Sequence, residues 1–113
     1  MEFTLLRLAS LITATVIALY FQPAYAAGNA ADGKKKSQMC HACHGANGIA
    51  VLPNAANIAG QTEMYFTKAL HDFKKGERKQ ENMTVVAQQL SDQDIADLAA
   101  YYASFKITVE MPK

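Results

Sequence analysis

The 113-residue chain has no tryptophan, only two cysteines and three prolines, and its 11 basic side chains nearly cancel against 10 acidic ones. That balance excludes a nucleic-acid binder that works by neutralising phosphates, which needs Lys and Arg in excess on one face. No internal repeat, low-complexity segment or linker breaks the sequence, and the length admits one domain. Nor is there an apolar run long enough for a comfortable membrane span. The apolar stretch from Leu8 to Phe21 has 14 residues, against the roughly 20 that cross a bilayer as a helix.

That stretch has a different meaning. Arg7 precedes it, and Ala24-Tyr25-Ala26 follows with small residues at the two positions a signal peptidase reads. Residues 1–26 are therefore predicted to be a secretory signal peptide and residues 27–113 the exported domain. A permanent anchor or a buried N-terminal helix is the weaker reading. Cleavage after Ala26 would leave 87 residues, a chain that buries only a modest core. Domains of that size often need a disulfide, a metal or a cofactor as a staple.

The periodicity after the signal is helical. Asp32 is a plausible N-cap for a helix running to Cys40. Residues 45–60, rich in Gly, Asn and Ala, read as a loop lying over something. Thr62 can cap a helix ending at Gly76, with Tyr65, Ala69, Leu70 and Phe73 on one face. Met83, Val85, Val86 and Leu90 suit one or two helical turns. Ser91 to Asp94 resembles a capping box, and Ile95, Leu98, Ala99, Tyr102 and Phe105 make the apolar stripe of a last helix. Only Ile107 to Val109 looks strand-like, so the predicted fold is all-α.

The chemistry lies in Cys40-His41-Ala42-Cys43-His44. Two cysteines separated by two residues, with histidine next, are a c-type haem attachment signal. On one helical turn the thiols stand at i and i+3, matching a haem's two vinyl groups, and the next residue sets an imidazole beneath the ring as an iron ligand. Three rival readings are a disulfide, a redox dithiol, and a zinc site built from Cys40, Cys43 and two of His41, His44 and His71. The dithiol reading lacks the βαβ units that usually flank such a pair. The zinc reading asks His41 and His44 to close a tetrahedron from positions too near the thiols. Haem attachment is the reading favoured.

A sixth iron ligand must then come from Met39, Met64, Met83, Met111, His41 or His71. Met39 adjoins the attachment site and cannot reach around the ring. Met83 follows a polar stretch, 39 residues after His44, where the chain can return across the far face. It is the favoured candidate, and a soft thioether there stabilises ferrous iron and raises the reduction potential.

Taken together these residues resemble the class I c-type cytochromes, in particular the short bacterial kind that also occurs as paired repeats in dihaem cytochromes. The resemblance rests on Gly33 seven residues before Cys40, the attachment motif followed by Gly45, Ile58-Ala59-Gly60-Gln61, Tyr65, Leu70, Phe73, Gly76, Arg78, Met83, Leu90-Ser91-Asp92 and Ala100-Tyr101-Tyr102. It implies about four helices around one haem c, bound covalently to Cys40 and Cys43, with iron held by His44 and Met83. It also implies that the first and last helices cross at Gly33. One position departs from the family pattern. Proline usually stands two residues before Ile58 and offers its carbonyl to the proximal imidazole, whereas this chain has Ala56. The bond is expected to survive with looser geometry.

The function expected from this reading is periplasmic single-electron transfer between a redox protein donor and acceptor, with no catalytic residues and no nucleic-acid partner. The alternatives are a haem c subunit associated with a dehydrogenase, an oxidase or a membrane respiratory complex, and a gas-binding haem protein. The run Lys34-Lys35-Lys36 reads as a solvated helix face ahead of a docking patch.

Overall fold

The structure, a computed structural model, describes residues 26–113. Apart from Ala26, the predicted signal peptide, residues 1–26, lies outside the described residues. These residues form four helical arms and contain no strand. The first arm is bent and built from α1 (Ala30–Lys36), a 3-10 turn (Ser37–Cys40) and α2 (His41–His44). The other three are α3 (Glu63–Lys75), α4 (Glu81–Gln88) and α5 (Asp92–Ala103).

Local chemistry sets the helix ends. The Asn29 side chain accepts from the backbone N–H groups of Ala31 and Asp32 and starts α1 three residues before the predicted cap at Asp32. Asp32 instead sits in the first turn, where a negative charge suits the helix dipole. Thr62 accepts from Tyr65 N–H to start α3, and Gly76 ends it in the left-handed conformation at φ 77°. Ser91 and Asp94 form the expected reciprocal capping box of α5: the Ser91 hydroxyl accepts from Asp94 N–H at 3.1 Å, and the Asp94 carboxylate accepts from Ser91 N–H at 2.9 Å.

Packing begins at the crossing of α1 and α5. A Cβ on Gly33 would lie 2.0 Å from the Asp97 carbonyl oxygen, a contact no side chain permits, so the backbones approach as closely as glycine allows. The same crossing is tied by polar groups. Asp97 is buried, and its carboxylate accepts from Asn29 N–H at 2.8 Å, from Gln93 Nε2 at 2.8 Å and from Lys36 Nζ at 2.6 Å. Lys36 also pairs with Asp94 at 2.8 Å. Lys36 is thus committed to the fold; of the three lysines predicted to be a solvated face, only Lys34 and Lys35 are exposed.

The core lies between α3, α4 and α5: Phe66, Leu70, Phe73, Ala87, Leu90, Ile95, Leu98, Ala99 and Tyr102. Burying each large member stabilises the fold by roughly 1.5–3 kcal/mol. Phe66 stacks on Tyr102 with centroids 5.4 Å apart. Phe66 joins the buried side of α3, while Tyr65, Ala69, Leu70 and Phe73, the face given by the periodicity, all line one cleft, Tyr65 at its exposed edge. The tail at Ile107 to Val109 is exposed and irregular, because three β-prone residues without a partner strand cannot form a ladder.

Candidate functional site

The loop between Gly45 and Gly60 runs under His44. The Gly48 carbonyl accepts from Ile58 N–H at 2.8 Å and Ala59 N–H at 3.0 Å, folding the loop back on itself. This brings the Ala56 carbonyl to 2.6 Å from His44 Nδ1. The imidazole donates through Nδ1–H, which fixes the tautomer and leaves the Nε2 lone pair for a metal. The carbonyl at the proline position therefore serves without proline, and the geometry is short where looser geometry was expected.

His44 is buried at the end of α2 and stands beside Cys40 and Cys43, both half-buried and not joined in a disulfide. Burial pushes the Cys40 thiol up from its ordinary pKa. The Tyr102 side chain is fully buried, and burial holds its hydroxyl well above the usual phenol range. Met83 approaches from another element. It lies in the first turn of α4, within the short helix expected there, and its N–H donates to Gln80 Oε1 at 2.7 Å.

One cleft of about 430 Å³ is lined by Cys40, Cys43, His44 and Met83 together. Its size falls in the ~300–1,000 Å³ range of cofactor sites. Ile58, Phe66, Leu70, Val86 and Leu98 make its apolar walls, and Asn57, Gln61, Arg78, Lys79 and Asn82 add polar groups. Arg78 is braced over the Phe73 ring, 4.7 Å from its centroid. Two thiols one turn apart, an oriented imidazole and a thioether on the walls of an apolar slot are a donor set that fits a covalently held haem.

The rival candidates stand elsewhere. Met64 and Met111 are 85% and 83% exposed. His71 faces Asp92, with Nδ1 3.9 Å from the carboxylate, and His41 Nε2 lies 3.2 Å from the Ser37 hydroxyl. Met39 lies on the cleft wall, one residue from the attachment motif. Among the described residues, no three His, Cys, Asp or Glu side chains gather to hold a metal ion, which leaves the zinc reading without a site. Sequence reasoning missed Gln80 and Asn57. Glutamine is a rare helix cap, and an asparagine in a loop has too many uses to signal one.

Residues 30–106 match the cytochrome c family. The chain belongs to that family. Members carry electrons on covalently bound haem c, the group that the donor set of this cleft fits. This cytochrome c is similar to cytochrome c4 of Pseudomonas aeruginosa, 51% identical over 88 residues that cover 78% of this chain and 44% of that protein. Cytochrome c-554(548) of Halomonas halodenitrificans is 46% identical over 81 residues, covering 69% of this chain and 98% of that one. Among solved structures, reduced recombinant cytochrome c4 from Pseudomonas stutzeri superposes with a TM-score of 0.68 at 42% identity, over 74% of this chain and 48% of that chain. The chain spans less than half the length of the cytochrome c4 relatives it matches, dihaem proteins of which it corresponds to one half. Among the described residues no helix is long and apolar enough to cross a membrane.

Proposed function

We propose that this cytochrome c is a periplasmic single-electron carrier, with haem c joined to Cys40 and Cys43 and its iron held between His44 and Met83. One observation carries the reading: the loop, α2 and α4 bring an oriented imidazole and a thioether to the same apolar cleft as both thiols. The haem supplies the reversible ferrous–ferric couple. His44, held by Ala56, keeps Nε2 aimed into the cleft, and Met83, held by Gln80 at its backbone, brings a soft sulfur that favours the ferrous state. Phe66, Leu70, Val86 and Leu98 exclude water, which raises the cost of the ferric charge. Arg78 and Lys79 supply cationic donors suited to the carboxylates of a bound ring.

With His44 and Met83 both holding the iron, no coordination position would be open for a substrate, which suits transfer of electrons rather than catalysis. Leu52 and Tyr65 line the cleft and remain 41% and 53% exposed. They offer a redox partner apolar contact beside the cofactor. Export through residues 1–26 would deliver the chain to the compartment where such partners act. The test is carbon monoxide binding to the ferrous holoprotein at neutral pH. Slow or absent binding supports a closed carrier site; rapid stoichiometric binding would move the gas-binding alternative ahead.

A further inference from the structure

Alanine at position 56 leaves free the φ angle that a proline ring would lock, yet its carbonyl stands 2.6 Å from His44 Nδ1. The loop supplies the missing restraint. Asn57 Oδ1 accepts from Ala50 N–H at 2.8 Å, and the Gly48 carbonyl accepts from Ile58 and Ala59 N–H. Gly48 sits at φ 74°, and a Cβ there would lie 2.8 Å from Ala59 N, so this approach of the two spans requires glycine. Residues 48–50 and 57–59 thus form a clasp that closes immediately beside Ala56. Asn57 is exposed and outside the core, so burial gives no reason for its presence.

We infer that Asn57 and Gly48 are positioning residues for His44, holding the Ala56 carbonyl against Nδ1 and so setting the orientation and basicity of the ring. The inference rests on the reading of His44 as an iron ligand. A firmly bonded Nδ1–H makes the imidazole a stronger donor to iron and favours the ferric state. Loosening the clasp frees the carbonyl, weakens the donor and raises the reduction potential.

The experiment compares holoprotein variants by nuclear magnetic resonance and electrochemistry. Losing one hydrogen bond worth about 1 kcal/mol speeds opening roughly fivefold. Asn57→Ala is therefore expected to exchange its His44 Nδ1–H about five times faster than wild type and to show a higher potential. Asn57→Asp, which keeps an acceptor oxygen, should exchange its His44 Nδ1–H at the wild-type rate, while its added charge on the cleft wall lowers the potential. Adding Ala56→Pro to Asn57→Ala should restore both exchange rate and potential. An Asn57 with a merely structural role would lower the melting temperature and leave both readouts unmoved, overturning the inference. If Asn57→Ala fails to load haem, the double variant decides: loading with wild-type exchange supports the clasp, and failure to load overturns it. If wild-type ferric protein shows no paramagnetic shift at the His44 ring, His44 is not on iron, and the ligand reading itself falls.

Discussion

Met83 reaches the cleft from the first turn of α4, its N–H bonded to Gln80 Oε1, while Met64 is exposed on α3. The two residues therefore have opposite expectations. Met83→Ala should open the iron to carbon monoxide and lower the reduction potential, because the soft ligand that favours ferrous iron is gone. Met64→Ala should leave both unchanged. Carbon monoxide titration of the two ferrous variants checks this, and an open site in the Met64 variant would contradict the assignment. The attachment residues were legible in the sequence because covalent chemistry demands them at one spacing beside a histidine. Met83 was reached only by elimination among four methionines and two histidines and as part of the family resemblance. Of the groups that hold these two side chains, the Ala56 carbonyl was placed by the family resemblance and is found there; Gln80 was not foreseen, because a polar side chain shows no partner until the fold supplies one. Lys36 was hidden for the same physical reason, since a lysine on a helix face looks solvated until the facing helix supplies Asp94 and Asp97.

At the scale of elements, the α1–α5 crossing couples the arm that bears the attachment motif to the last helix. The family resemblance placed this crossing at Gly33, and the capping pattern placed the start of α5 at Ser91; close approach and capping each demand particular residues. The same pattern misplaced the start of α1 by three residues, because Asn29 and Asp32 are both good caps and only packing chooses between them. Removing Asp97 strips the crossing of an acceptor for three donors. Asp97→Ala is expected to destabilise the holoprotein by about 2 kcal/mol, read as the shift in a denaturant midpoint; Asp97→Asn, which retains an acceptor, should cost less. The acid response has a definite sign. Lys36 holds the Asp94 carboxyl down to about 2 from its ordinary 3.8 and lowers Asp97 as well. The stabilisation from these carboxylates is present above their ordinary values and is lost as pH falls through their native ones. Lys36 is pushed up to about 12 by the same pairs, so its share persists through neutral pH and is lost only as pH rises through about 12. Unfolding measured between pH 5 and pH 2 should show wild type losing stability more steeply than Asp97→Asn. Equal slopes would mean that Asp97 contributes nothing to the acid response.

The whole molecule is a small helical shell around a cleft lined by its attachment residues, and its core is correspondingly thin. A haem held in that cleft would act as the staple that a chain of this size needs. Replacing Cys40 and Cys43 together with Ala should yield colourless, poorly folded protein, whereas acid-acetone extraction of wild type should leave the colour with the polypeptide; pigment in the organic phase would refute covalent attachment. Export is checked separately: N-terminal sequencing of mature protein should begin at Ala27, and a start at Met1 would favour an anchor. The central claim is that His44 and Met83 close the iron from both sides, and it is tested most directly by the absorption spectrum of the ferric holoprotein. A thioether on ferric iron produces a weak far-red charge-transfer band. The band is expected in wild type and Met64→Ala and absent in Met83→Ala; its absence from wild type, or its persistence without Met83, would contradict the account.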